Sequence, residues 1–130
     1  MPIDVFVPGG VLEPNTVAAL GSDLTETLLR WTDATENEFF RSNVSVVFHE
    51  LPQERVFAGG TPATVARVDV KVPSVALSTQ ERRSGFTADA TELLRKASAH
   101  RFAHVWVFIA NAIDGGWGID GKALTNEDLS

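Results

Sequence analysis

IDVFVP at Ile3–Pro8 returns as VDVKVP at Val68–Pro73, and this recurrence decides the fold. The shift is 65 residues, and it holds beyond the two stretches. Carried forward without a gap, it lays Leu12 on Leu77 and Leu28-Leu29-Arg30 on Leu93-Leu94-Arg95. Both stretches have the period-two alternation of a strand with one buried face. Downstream of each, apolar residues recur three or four apart. They are Val17, Leu20, Leu24, Leu28 and Trp31 in the first copy, and Phe86, Ala90, Leu93, Leu94 and Ala97 in the second. That spacing draws one apolar stripe along a helix. Pro14 falls at the first helical position, where its missing N–H is one of the unpaired ones anyway. Ser78 and Glu81 have capping-box spacing before the second helix.

A second strand follows each helix, NVSVVFHE at 43–50 and HVWVFIAN at 104–111, the first loop being about four residues longer. Each copy is thus a β-α-β unit, whose parallel strands need the crossover helix. The expectation is one domain over residues 1–130, of α/β (α+β) class, with pseudo-repeats at 2–50 and 67–111. It should form a four-stranded mixed sheet with two helices on one face and a short terminal strand within 115–121. Alternation turns Val5, Val7, Val44, Val46, Phe48, Val68, Val70, Val72, Val105, Val107 and Ile109 toward the helices. The other face carries Pro2, Asp4, Phe6, Ser45, Val47, His49, Arg67, Asp69, Lys71, Trp106 and Phe108. Large aromatics beside charges on an uncovered face point to association of subunits.

Composition narrows the chemistry. With 11 basic and 17 acidic residues, the chain lacks the basic balance that phosphate backbones require, so no nucleic-acid partner is expected. No cysteine is present, which removes disulfides and thiolate chemistry. His49, His100 and His104 lack metal-ligand spacing, so no metal and no cofactor are expected. The first residues have neither the basic nor the apolar region of a signal peptide, and no run reaches membrane-spanning length. A cytoplasmic protein with no membrane contact is the expectation.

GGWGIDG at Gly115–Gly121 contains a formal G-x-G-x-x-G. A dinucleotide fingerprint must open a helix and be followed about 20 residues on by an acidic group. Only nine residues follow Gly121, so the stretch reads as a glycine-rich turn carrying Trp117 and Ile119. The last residues, ALTNEDLS, read as a tail that frays or docks on a neighbour.

The repeat, Pro2 directly after Met1, FHELPQERVFAGG at 48–60 and HVWVFIA at 104–110 together resemble the tautomerase superfamily, which includes 4-oxalocrotonate tautomerase and macrophage migration inhibitory factor. The similarity runs over essentially the whole chain and is closest to the cis-3-chloroacrylic acid dehalogenase branch. The resemblance implies a homotrimer, antiparallel central strands and a catalytic Pro2 freed by loss of Met1. It also implies that the terminal strand of one subunit lies over a neighbour's pocket. Departures bear on the activity. Where the dehalogenase has its helical histidine, this chain has Leu28. The segment holding its two arginines reads VPSVAL at Val72–Leu77, its tyrosine is Phe108, and its glutamate falls on Ile119. The arginine pair of malonate semialdehyde decarboxylase is missing from the same segment.

Pro2 is therefore the expected catalytic group. Walls of Trp106, Phe108 and Trp117 would disfavour its ammonium form and leave a base near pH 7. Lys71, on the same face, is a candidate for the substrate carboxylate, its alternative being an ion pair with Asp4 or Asp69. Arg41, in the loop TDATENEFFRSN, is the other candidate, because a guanidinium fork suits a carboxylate. Trp106, Phe108, Trp117 and Ile119 would shape the pocket. The reading is a cofactor-independent tautomerase acting on a small 2-oxo or 2-hydroxydienoate acid. Two alternatives stand beside it. One is a divergent hydratase or dehalogenase, with Glu38 activating water. The other is a non-catalytic trimeric binding protein, since a retained Met1 makes the Pro2 nitrogen an amide.

Overall fold

The computed structural model describes residues 1–130. Four strands form the main sheet: β1 (Pro2–Pro8), β2 (Ser45–Leu51), β5 (Val65–Pro73) and β6 (His104–Ala112), in the spatial order β2-β1-β5-β6. β1 pairs parallel with β2, β5 pairs parallel with β6, and the central β1 and β5 are antiparallel. This is the mixed sheet that two β-α-β units predict. The crossover helices are α1 (Pro14–Trp31) and α3 (Gln80–Ala97), and both lie on one face.

The core sits between that face and the helices. Ile3, Val5 and Val7 of β1 and Val68, Val70 and Val72 of β5 are buried against Leu20, Leu24 and Leu28 of α1 and Phe86, Ala90 and Leu94 of α3. These are the residues that strand alternation and helical spacing assign inward. Leu28, standing where the dehalogenase pattern has a histidine, is fully buried here and contributes packing. The two helices meet at Trp31, whose indole N–H donates to Asp89 Oδ2 at 2.8 Å. Arg30 reaches the same carboxylate at 3.0 Å.

Several local expectations are corrected. The α3 cap is Thr79, one residue after Ser78, with its hydroxyl accepting from the Arg82 N–H at 3.2 Å. The segment read as an open loop contains a short helix, α2 (Glu38–Ser42), capped by Asn37 accepting from the Phe40 N–H at 3.0 Å. Between β2 and β5 a 3-10 turn (Gln53–Arg55) leads into a hairpin of β3 (Phe57–Ala58) and β4 (Thr61–Pro62). Its turn residues Gly59 and Gly60 both have positive φ, as a two-residue hairpin requires.

The terminal strand is real but has an unforeseen partner. β7 (Trp117–Ile119) pairs antiparallel with β8 (Lys122–Leu124) of its own chain, through Asp120 and Gly121, also at positive φ. Asp-Gly is the turn chemistry that closes such a hairpin. The tail does not fray. Thr125 and Asp128 form a capping box for α4 (Asn126–Leu129), and Leu129 is buried. Asp114 accepts from the Asn126 N–H at 2.7 Å, and Ser74 donates to the Asn126 side chain at 2.8 Å. No helix is long and apolar enough to cross a membrane.

Candidate active site

The N-terminus is the start of β1, laid between β2 and β5. Pro2 is opposite Ser45 in the parallel pair. Ser45 donates its backbone N–H to the Met1 carbonyl at 3.1 Å, and the Met1 ammonium donates to the carbonyl of Asn43. By the period of two, Met1 shares the inward face with Ile3, and its side chain belongs to the apolar core at 2 % exposure. Burial pushes the pKa of the terminal ammonium down to about 6, because a charge loses hydration there.

The other face of the sheet stays open. In the antiparallel pair Ile3 is opposite Val70 and Asp4 opposite Asp69, so one further step brings Pro2 level with Lys71. Lys71 in turn is opposite Ala110, and Asp69 opposite Phe108. A shallow groove is lined by Lys71, Asp69, Arg67, Val70, Phe108 and Ala110. No carboxylate is paired with Lys71. Asp69 instead lies 3.2 Å from Arg67 Nε, without the alignment of a hydrogen bond, and its buried Oδ1 has no other partner.

The remaining candidates are distributed more widely. Arg41 of α2 is tied to Glu26 of α1 through both guanidinium nitrogens, and donates to the Thr35 carbonyl at 2.8 Å. The hydrogen bond from Arg41 holds the Glu26 carboxyl below its usual range, and the same bond raises the guanidinium. A substrate carboxylate at Arg41 would have to displace Glu26. Trp117 lies flat on Phe40 at 5.8 Å and edge-on to Phe39 at 6.3 Å, which anchors β7 to α2. Ile119 is half-buried on the same strand. Trp106 pairs with Arg67, four residues along β6 from Ala110, or about 13 Å at strand rise. It lines a second concavity with Phe6, Val7, Leu51, Arg55, Phe57 and Arg67.

One set of contacts depends on the strand register as well as on face parity. His49 Nε2 lies 2.8 Å from Asp4 Oδ1. The imidazole stacks on Phe6 at 4.4 Å, and the Arg67 guanidinium covers the same ring at 4.4 Å. Glu50 is adjacent to His49 in sequence, but neighbours on a strand point to opposite faces. Face parity puts His49 on one face with Asp4, Phe6 and Arg67, and the β1–β2 register, Phe6 opposite His49, brings them into contact.

Chemically, this arrangement offers a desolvated N-terminus, a free ammonium on the adjoining strand and an apolar ring beside it. No protein-family model matches the chain, and no curated protein sequence matches it. Solved structures do. A fused 4-OT, solved as an asymmetric trimer, superposes with a TM-score of 0.82 at 19% identity, covering 100% of this chain and 99% of its own. A member of the cis-3-chloroacrylic acid dehalogenase family gives 0.80 at 20% identity, covering 95% and 83%. A macrophage migration inhibitory factor-like protein from Entamoeba histolytica gives 0.74 at 12% identity, covering 93% and 96%. With its four-stranded mixed sheet and paired crossover helices, the chain has the tautomerase-superfamily fold.

Proposed function

We propose that the chain, once Met1 is removed, is a cytoplasmic, cofactor-independent tautomerase that moves a proton between oxygen and carbon of a small 2-oxo or 2-hydroxydienoate acid. The observation carrying this reading is the place of Pro2. It lies at the end of β1, opposite Ser45 and level with the unpaired Lys71. A prolyl nitrogen freed there, close to the Lys71 charge and the Phe108 ring, would be disfavoured as an ammonium and suited to act as a base. Pro2 takes the hydroxyl proton of the enol, C2–O becomes a carbonyl, and the C2=C3 electron pair takes that proton back from the prolinium at C3. The nitrogen ends as it began, so no cofactor is consumed. Lys71 holds the carboxylate, with Arg41 as the second candidate. Phe108 borders the groove, and Trp117 and Ile119 on a neighbour's terminal strand would cover it, while Trp106 lines the separate concavity around Phe6. The likeness to a fused 4-OT described as a trimer supports a homotrimer for this chain.

The test is ketonisation of phenylenolpyruvate or 2-hydroxymuconate by the processed chain. Pro2→Ala is expected to lower kcat/KM by about 10²–10⁴-fold, the range of general acid–base catalysis. Equal rates in the two proteins would end the reading. A second reading is favoured by one observation, the burial of Met1 in the core. If Met1 is retained, Pro2 is an amide and the protein is a trimeric binding module. Intact mass of the protein from its own host separates the two readings.

A further inference from the structure

The Met1–Pro2 peptide group occupies the space that Pro2 chemistry would use. A peptide oxygen lies roughly 2.3 Å from the nitrogen of the next residue by covalent geometry. Here that oxygen is the Met1 carbonyl, and the Ser45 N–H donates to it at 3.1 Å. Loss of Met1 removes the acceptor and leaves both the Pro2 nitrogen and the Ser45 N–H without their former partner. A substrate oxygen about 2.8 Å from the Pro2 nitrogen would fall close to the same point.

We propose that the Ser45 backbone N–H is the donor that holds the 2-oxygen of the substrate and stabilises the negative charge it gains. This rests on the tautomerase reading above and assigns it a main-chain donor. When Pro2 removes the enol proton, charge collects on the 2-oxygen before the carbon end is protonated. A fixed N–H aimed at that oxygen lowers the barrier because it needs no reorganisation. Lys71 is not the donor for this oxygen, since it stands on the opposite side of β1. Neighbouring strands are about 4.8 Å apart, so β2 and β5 flank Pro2 at roughly 10 Å from each other. A lysine side chain bridges most of that gap, which leaves the carboxylate toward Lys71 and the 2-oxygen toward Ser45. Asn43 fixes the same orientation. Its carbonyl, which accepts from the Met1 ammonium, repels a carboxylate on the β2 side.

The experiment uses the full-length processed chain, with phenylenolpyruvate as substrate and oxalate as the enolate mimic. Ser45→Pro removes the N–H at the first residue of an edge strand, where proline is tolerated, and Ser45→Ala, which keeps the N–H but not the hydroxyl, is expected to leave kcat unchanged. The kcat of Ser45→Pro is expected to fall by about 10²–10³-fold, as for loss of one oxyanion donor, with KM changed by less than about threefold. In the unsubstituted chain, oxalate is expected to shift the Ser45 amide proton downfield more than any other amide of β2. If Ser45→Pro does not fold, that titration alone decides. A folded Ser45→Pro with undiminished, Pro2-dependent ketonisation overturns this inference and leaves the tautomerase reading standing. So does a Ser45 amide that stays still while oxalate shifts the Pro2 resonances. Absence of Pro2-dependent ketonisation in the unsubstituted chain overturns both.

Discussion

Gly85 of α3 lies directly under the ring of Trp31, the last residue of α1. A methyl group at position 85 would sit 2.2 Å from Trp31 Cη2 and 2.3 Å from Cζ2. The ring has little freedom to withdraw, because its N–H is bonded to Asp89 on the next turn of α3. Gly85→Ala therefore sets two effects against each other. Helix propensity favours alanine by about 0.5–1 kcal/mol, while overpacking a rigid contact costs about 1–3 kcal/mol. The steric effect is expected to win, lowering stability in urea denaturation. In a Trp31→Phe background the sign should reverse. Stabilisation by Gly85→Ala with Trp31 intact would show that the helices separate freely at this crossing.

Lys71 and Arg41 make opposite forecasts for substrate binding. Lys71 borders the groove beside Pro2 with no carboxylate partner, whereas Arg41 is already engaged by Glu26 and Thr35. Lys71→Met is expected to raise KM for a 2-oxo acid about tenfold, the loss of one charge-assisted contact, with a smaller change in kcat. Arg41→Met should leave KM nearly unchanged and loosen α2 instead, seen as faster amide exchange at residues 38–42. A large KM effect confined to Arg41→Met would exchange their roles.

The fold was largely legible because its signals are periodic. The 65-residue recurrence, the two apolar stripes and the strand alternation each concern many residues, and the core residues follow from them. The site was legible only where it depends on strand parity and register, which is how Lys71 comes level with Pro2. What escaped were short or paired features. α2 is five residues long, too short for helical periodicity, and its one local signal is the Asn37 cap. The His49–Asp4 pair needs the β1–β2 register, which no single strand contains. The burial of Met1 was signalled by its parity with Ile3, but first residues are usually assumed to be solvated. The C-terminal capping box was written in Thr125 and Asp128, yet a helix of four residues has no periodicity to confirm it.

The β7–β8 hairpin gives a further test. Gly121 has φ 89°, a conformation that costs a residue with a side chain about 1–2 kcal/mol. Open space surrounds it, so only the backbone conformation opposes substitution. Gly121→Ala is expected to fray the hairpin locally, releasing Trp117 from Phe40, with little change in the melting of the main sheet. Tryptophan fluorescence moving to longer wavelength would report the release. An unchanged spectrum with a lowered global melting temperature would mean that the hairpin unfolds only with the core.

Retained and processed chains should differ in how stability responds to pH. In the folded chain with Met1 present, burial holds the pKa of the terminal ammonium at about 6, against about 8 when unfolded. Between these values the unfolded chain binds a proton that the folded chain does not. Stability therefore rises from pH 6 to pH 8, and the gain is lost as pH falls through that window. A tenfold difference in proton affinity between the folded and unfolded chains is worth about 1.4 kcal/mol at full effect. Partial access of water to the amine reduces the expected gain to about 1 kcal/mol in all. Chemical denaturation from about pH 5.5 to 8.5 measures it, with an N-acetylated Met1 chain as control, since acetylation abolishes the titrating group. The free-amine chain should gain on the acetylated one as pH rises. Parallel profiles would show that the terminal amine is hydrated in the folded state.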